Sequence, residues 1–126
     1  MIDFEKVRAI DFHTHAEEAC GCHTDDGYDE LQSTMAKYFG APWAHPPTID
    51  ETAAHYREKN IAAVIFPVDS ERETGYRRYN NYEVAEACAK NADILIPFAS
   101  IDPAKGKLGA REARDLVENH GIKGFK

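Results

Sequence analysis

The sequence lacks a long apolar run, and no stretch approaches the roughly 20 apolar residues that a membrane helix requires. It also lacks a block of lysine and arginine, and the formal net charge of the 126 residues is −7. These two absences argue against a membrane or a nucleic acid as the main partner. The first residues show neither the basic region nor the apolar core of a secretory signal, so we expect a cytoplasmic protein.

Cysteine is scarce and odd in number, with three residues in the chain. Cys20 and Cys22 are too close in sequence for an easy bridge to each other, and Cys88 lies in an alanine-rich helical pattern. A disulfide framework is therefore not expected. Cys88 is interpreted as a small core residue, because free cysteine packs as a buried apolar side chain.

The chain is long enough, at 126 residues of which 43% are hydrophobic, to form one domain with a real core. A first strand ends at His15, and three apolar runs of the kind found in strands covered on both faces follow it. These runs cover residues 61–66, 94–99 and 122–126. A helical pattern precedes each of them, so the order indicates parallel βαβ units.

Several local features refine this outline. Residues 17–45 are polar and contain glycine, hold one predicted helix from about Asp29 to Phe39, and are interpreted as an insertion. Thr48 followed by Glu51 predicts a capping box at the start of the next helix. Pro97 is unwelcome inside a central strand, so we expect that strand to begin at Phe98 or to bulge at the proline.

Four parallel strands with three crossover helices fit either a small open sheet or the first half of a (β/α)8 barrel, which typically needs about 250 residues. Lys126 falls inside a predicted strand, which favours the half barrel and a piece of a longer enzyme. We therefore predict an α/β fold equivalent to the N-terminal half of a TIM-type barrel. The unpaired strand edges of such a piece predict self-association, so a homo-oligomer is an expected partner.

The strongest chemical feature is the pair His13 and His15 at the end of the first strand. A regular strand points alternate side chains to the same face, so their Cα atoms are expected roughly 6.5 Å apart. Both rings can then bind one ion, although catalytic zinc sites usually take three protein ligands. Two alternatives are a purely structural role for the pair and a zinc knot that includes Cys20, Cys22 and His23.

Residues 10–15 resemble the opening strand of the metal-dependent amidohydrolase superfamily. The run 94–103, followed by a helix and residues 121–126, more specifically resembles the amidohydrolase-2 branch, which includes aminocarboxymuconate-semialdehyde decarboxylase and related decarboxylases, hydratases and lactone hydrolases. The resemblance implies a (β/α)8 barrel with one divalent metal ion, usually zinc, held by His13 and His15. It also implies a hydrolase or decarboxylase that acts with a metal-activated water on a small, aromatic-derived organic acid.

The resemblance also implies ligands that this chain does not contain. The family's further metal ligands are a histidine from the fifth strand and an aspartate from the eighth, and both fall beyond Lys126. Some amidohydrolases bridge two metals with a carboxylated lysine from the fourth strand, which is the strand that Lys126 occupies.

Other candidate site residues follow from their chemistry. We expect Asp11 to share the face of the two histidines and to hold an imidazole nitrogen, or else to bond to backbone as a buried strand residue. Arg77 or Arg78 is a candidate clamp for a substrate carboxylate, although both are also typical of a solvated loop.

Two competing functions remain open on the sequence alone. A phosphoesterase of the polymerase-and-histidinol-phosphatase type also has a first strand that ends in His-x-His, but it would carry further histidines soon afterwards. A noncatalytic module stabilised by zinc on residues 20–23 is the alternative from another class. The aromatic side chains of Tyr38, Trp43 and His45 are candidates for a pocket wall, or for packing of the insertion on the barrel.

Overall fold

The computed structural model describes residues 1–17, 28–40, 46–75 and 78–126. Strands and helices alternate along the chain. The strands are β1 (Ala9–His15), β2 (Ile61–Phe66), β3 (Leu95–Ala99) and β4 (Gly124–Phe125). The helices are α1 (Tyr28–Phe39), α2 (Ile49–Lys59), α3 (Glu71–Thr74), α4 (Asn81–Lys90) and α5 (Gly106–Asn119), and a short 3₁₀ turn, Pro103–Lys105, precedes α5.

The four strands form one parallel sheet in the order β1-β2-β3-β4. Each strand therefore lies beside the next one along the chain, with helical segments in the crossovers. This is the arrangement of half a (β/α)8 barrel, and the predicted α/β fold with parallel βαβ units is confirmed. None of the helices that the structure describes is long and apolar enough to cross a membrane.

The sheet has two faces with different neighbours. On one face, Ala63 and Ile65 of β2 pack against apolar residues of α2 and α4. A second cluster joins β3 to α5 through Ala99 and Leu116. Because strand side chains alternate, Ala62, Val64 and Phe66 point to the opposite face, which we call the inner face because it corresponds to the barrel interior.

The local predictions hold at the starts of helices and in the core. Thr48 and Glu51 form the predicted capping box, in which each side chain accepts the backbone N–H of the other residue. The predicted helix in the 17–45 stretch is α1. Cys88 is buried on α4, and burial raises the pKa of its thiol to about 12.

The prediction for Pro97 is wrong, because β3 begins at Leu95 and passes through the proline without a register shift against β2. The carbonyl of Pro97 accepts the N–H of Lys123, one residue before β4 begins. In a parallel strand the nitrogen and carbonyl of one residue point to the same neighbour. The missing donor of Pro97 therefore faces the side where β4 has not yet started, and no ladder bond is lost there.

The fourth strand is shorter than the sequence predicts, but it lies very close to β3. A Cβ atom on Gly124 would lie 2.5 Å from the ring of Phe98, so only glycine allows this approach. The backbone N–H of Lys126 also donates to the carbonyl of Ala99. These contacts hold the end of the fourth strand and carry the Lys126 side chain over the inner face.

Candidate metal centre

The two histidines of β1 lie together on the inner face, at the carboxyl end of the strand. Their ring centroids are 5.2 Å apart, and the ring planes are inclined by 40°. Both rings contact the ring of Phe66 on β2, with centroid distances of 5.6 Å for His13 and 5.2 Å for His15. Phe66 therefore forms an apolar floor beneath the pair.

Strand β1 reaches this arrangement through an irregularity and not through regular alternation. Asp11 pairs with Ala63 and Thr14 pairs with Ile65, so three steps along β1 match two steps along β2. The extra residue is a β-bulge, a feature that changes which face the following side chains take.

The bulge overturns the expectation that Asp11 shares the face of the histidines. Oδ2 of Asp11 accepts the hydroxyl of Tyr56 on α2 at 2.6 Å, and Oδ1 accepts the backbone N–H of His13 at 2.9 Å. Asp11 therefore faces the helices, and it supports the main chain of His13, not an imidazole nitrogen. The hydrogen bond from Tyr56, followed by that from His13, lowers the pKa of Asp11 below its usual value.

Lys126 is the residue that the structure adds to the pair from the far side of the sheet. Its Nζ lies 3.2 Å from Nε2 of His13 and 4.7 Å from the centroid of the Phe66 ring. A lysine directly after β4 thus reaches a histidine on β1 across the inner face. An ammonium group can donate but not accept, so the lone pair of Nε2 faces it.

Glu17 lies on the other side of the pair, with Oε1 3.7 Å from Nδ1 of His15. Burial lowers the pKa of His15, and the charges of His13 and Lys126 lower it further against the opposing effect of Glu17. The neutral imidazole that this favours is the form in which histidine binds metal ions.

The spacing of the two rings can be tested against a shared ion. Zinc bonds to histidine nitrogen of roughly 2.0 to 2.1 Å in tetrahedral geometry bring two ring centroids about 5 Å apart. The centroid distance of 5.2 Å is close to this value, so the separation of the two rings is the one that a shared divalent ion requires. In the described part of the chain, no group of three or more histidine, cysteine, aspartate or glutamate residues could hold a metal.

Arg78, the candidate carboxylate clamp, is fully engaged away from the histidines. Its Nη1 donates to the carbonyl of Ser100 at 2.9 Å, and its Nη2 donates to Glu112 at 2.7 Å. Its Nε lies 3.4 Å from Oδ2 of Asp69. The view of Arg78 as part of a solvated loop is therefore wrong, because its side chain is only 15% exposed and each of its guanidinium nitrogens has a protein partner. Arg77 lies outside the described residues.

Asp69, just after β2, is the centre of this ion-pair network, and its side chain is only 1% exposed. Its Oδ2 accepts Nζ of Lys105 at 2.6 Å and the backbone N–H of Asp102 at 3.0 Å. Burial alone would raise the pKa of Asp69, but the hydrogen bonds from Lys105 and Asp102 and the charge of Arg78 outweigh it and hold the pKa low. The network ties the loops after β2 and β3 together.

Some predicted candidates cannot be located. The zinc-knot and pocket-wall hypotheses stay predictions, because they involve residues outside the described ranges. These residues are Cys20, Cys22, His23, Trp43 and His45. Tyr38 is described, and its side chain is exposed at the end of α1.

The family model for amidohydrolases, of the amidohydrolase-2 type, matches residues 10–126, which include both histidines and all of the sheet except the first residue of β1. The chain belongs to the amidohydrolase family. Neither the curated proteins nor the solved structures give a match to it. Family membership gives the chain a metal-dependent hydrolase or decarboxylase kind of function, and the half-barrel sheet with histidines at a strand's carboxyl end is the corresponding architecture.

Tyr56 is the site residue that the sequence pattern did not single out. The apolar pattern of α2 places Tyr56 on one helix face with Ile49 and Ala53, and it predicts only that this face packs against the core. The available signal was chemical. A buried tyrosine hydroxyl usually finds a hydrogen-bond partner, and Asp11 is the acidic residue on the neighbouring strand.

Proposed function

We propose that this amidohydrolase binds one divalent metal ion, zinc in the simplest case, through His13 and His15, and acts on a small organic acid. The observation that carries the proposal is the placement of the two rings on the inner face, with centroids 5.2 Å apart. In (β/α)8 barrels the functional groups lie at the carboxyl ends of the strands, and this is where the pair stands.

When bound, the ion lowers the pKa of water from 15.7 to roughly 7 and polarises a carbonyl group. His13 and His15 would hold it through ring nitrogens, and Phe66, which is buried beneath the two rings, would limit the access of water from that side. Asp11 acts from the opposite face, through the backbone of His13, and does not exchange protons with a substrate.

An acidic substrate is favoured by the one cation that the described chain brings to the histidine pair. The Nζ of Lys126 lies 3.2 Å from Nε2 of His13, so it can attract a carboxylate to the metal site. Arg78 is a weaker candidate for this role, because its guanidinium already contacts Asp69, Ser100 and Glu112. Lys126 therefore takes the place of Arg78 as the candidate group for a substrate carboxylate.

The test is the metal content of the full-length protein, measured by elemental analysis. We expect about one divalent ion per chain in the wild type and loss of that ion in the double variant His13→Ala, His15→Ala. His120→Ala is a matched control, because His120 is an exposed histidine that contacts Tyr82 and Asp115 instead. Unchanged metal content in the double variant would contradict the proposal.

A chelator separates this proposal from the zinc-stabilised module. Removal of a catalytic ion should leave the fold intact by circular dichroism, because the core between sheet and helices is apolar and independent of His13 and His15. Unfolding on chelation would favour the structural module. A screen of carboxylic acids against phosphate esters, in the metal-loaded protein, separates it from the phosphoesterase.

A further inference from the structure

The bulge in β1 leaves backbone groups without a partner in the strand ladder, which a regular strand would not do. Three residue steps along β1, from Asp11 to Thr14, match two residue steps along β2, so the backbone between them leaves the ladder. A bulged residue loses its strand partner and needs another one. The N–H of His13 finds that partner in Oδ1 of Asp11, at 2.9 Å.

A single hydroxyl holds both sides of the bulge. The Tyr56 hydroxyl donates to Oδ2 of Asp11 at 2.6 Å and lies 2.8 Å from Oγ1 of Thr14. Since its own proton goes to Asp11, the hydroxyl of Thr14 is the donor in the second bond. The chain of bonds therefore runs from Thr14 through Tyr56 and Asp11 to the backbone of His13.

The anchor of this chain is rigid. Tyr56 is half-buried on α2, where its ring packs against the core cluster that contains Ile49 and Ala53. The capping box of Thr48 and Glu51 fixes the start of the same helix. The position of the hydroxyl is thus determined by the helix layer, on the side of the sheet opposite to the histidine rings.

We propose that Tyr56 and Asp11 are positioning residues for the metal centre, which hold the β1 bulge so that His13 faces inward beside His15. The inference rests on the proposed function of the histidine pair. Without the bulge, strict alternation would put Asp11 on the inner face with the rings, where its carboxylate would compete for the ion. With the bulge fixed from outside, β1 presents the two imidazoles on the inner face without the carboxylate of Asp11 beside them.

The test compares Tyr56→Phe with Tyr82→Phe in the full-length protein. Tyr82 is a matched control, because its hydroxyl also donates to a carboxylate, that of Asp115 at 3.0 Å, but between α4 and α5. We expect Tyr56→Phe to weaken zinc affinity about 10- to 100-fold, the usual effect of losing a partner that orients a ligand. Tyr82→Phe should leave zinc affinity unchanged. Competition with a chromophoric chelator measures both.

Two further readouts distinguish positioning from general stability. In the metal-free protein, the amide hydrogen of His13 should exchange with solvent about fivefold faster in Tyr56→Phe than in the wild type. This is the effect expected from the loss of one hydrogen bond, which stabilises by about 1 kcal/mol. Asp11→Ala combined with Tyr56→Phe should be no worse than Asp11→Ala alone, because the two residues act through one chain of bonds. Additive effects would contradict the inference.

The outcomes for the two proposals can be told apart. If the wild type binds zinc, the double histidine variant does not, and Tyr56→Phe behaves as Tyr82→Phe in affinity and exchange, the positioning role alone is overturned. If the wild type takes up no divalent metal, the proposed function fails and this inference fails with it.

Discussion

The carboxyl ends of the strands differ sharply in how their polar side chains are used. After β2 and β3, the charged groups of Asp69, Arg78 and Lys105 bond to one another, with Asp69 almost fully buried. At the end of β1, His13 and His15 contact Phe66, and Lys126 and Glu17 are the described residues that approach their nitrogens. In the first region the charged groups are paired with one another, although the buried Oδ1 of Asp69 has no hydrogen-bond partner, whereas in the second region the imidazole nitrogens meet one ammonium and one carboxylate.

The two regions differ in the role of their ionisable side chains. Those of the first region stabilise the fold, and those of the second are candidates for binding a metal ion. A buried carboxylate with two cations is costly to disturb, because its removal leaves the partner charges unpaired. Two imidazoles over an aromatic floor contribute little to the core, and their lone pairs are what a metal ion requires. The carboxyl edge of the sheet thus holds an ion-pair network that joins two loops and, beside it, a candidate metal site.

The largest expected effect is a loss of stability when the charge at the centre of the ion-pair network is removed. Asp69→Asn keeps the shape of the side chain but removes the charge that pairs with Arg78 and Lys105, so we expect a loss of about 3 kcal/mol in unfolding free energy. Zinc affinity should not change, because Asp69 does not contact the histidines. Urea denaturation measures the loss, with Asp3→Asn as a control for an exposed ion pair, that of Asp3 with Lys6.

The pH dependence of this loss has a definite sign. The folded pKa of Asp69 lies below its ordinary value of 3.8, so its contribution is fully present above that value and is lost as the pH falls through the folded pKa. The difference between wild type and Asp69→Asn should therefore be constant from neutral pH to about pH 5 and shrink below about pH 4. A difference that grows on acidification would contradict this account of the network.

A smaller effect is expected at the other region, from Lys126→Met. The ammonium group of Lys126 competes with a metal ion for the lone pair on Nε2 of His13. Its removal should tighten zinc binding about threefold to tenfold, the equivalent of a hydrogen bond of about 1 kcal/mol. A chelator competition assay measures the change. Weaker binding in this variant would instead indicate that Lys126 is itself a ligand, as a carboxylated bridging lysine would be.

Much of the fold could be predicted because its signals are local and redundant. The apolar run at 61–66 and the capping box of Thr48 and Glu51 each identify an element from a few neighbouring residues. The order of elements then restricts the topology, since parallel crossovers follow a narrow set of rules. Pro97 misled the prediction because its effect depends on where β4 begins, which is a property of another strand.

The candidate site was only half predictable for the same reason. His13 and His15 lie two positions apart in sequence and could be recognised from this spacing, but the bulge that orients them is visible only in the pairing with β2. The face of Asp11 was therefore assigned wrongly, and Tyr56, 45 residues away, was not considered its partner. Arg78 similarly owes its role to Asp69, Ser100 and Glu112, which lie on different elements.

The most direct test of the account is zinc K-edge X-ray absorption on the full-length, zinc-loaded protein. We predict a first shell of nitrogen and oxygen at roughly 2.0 to 2.1 Å, with imidazole scattering that falls by two rings in the His13→Ala, His15→Ala variant if any zinc is retained. Sulfur at roughly 2.3 Å, unaffected by these substitutions, would place the ion on the cysteine loop and contradict the account.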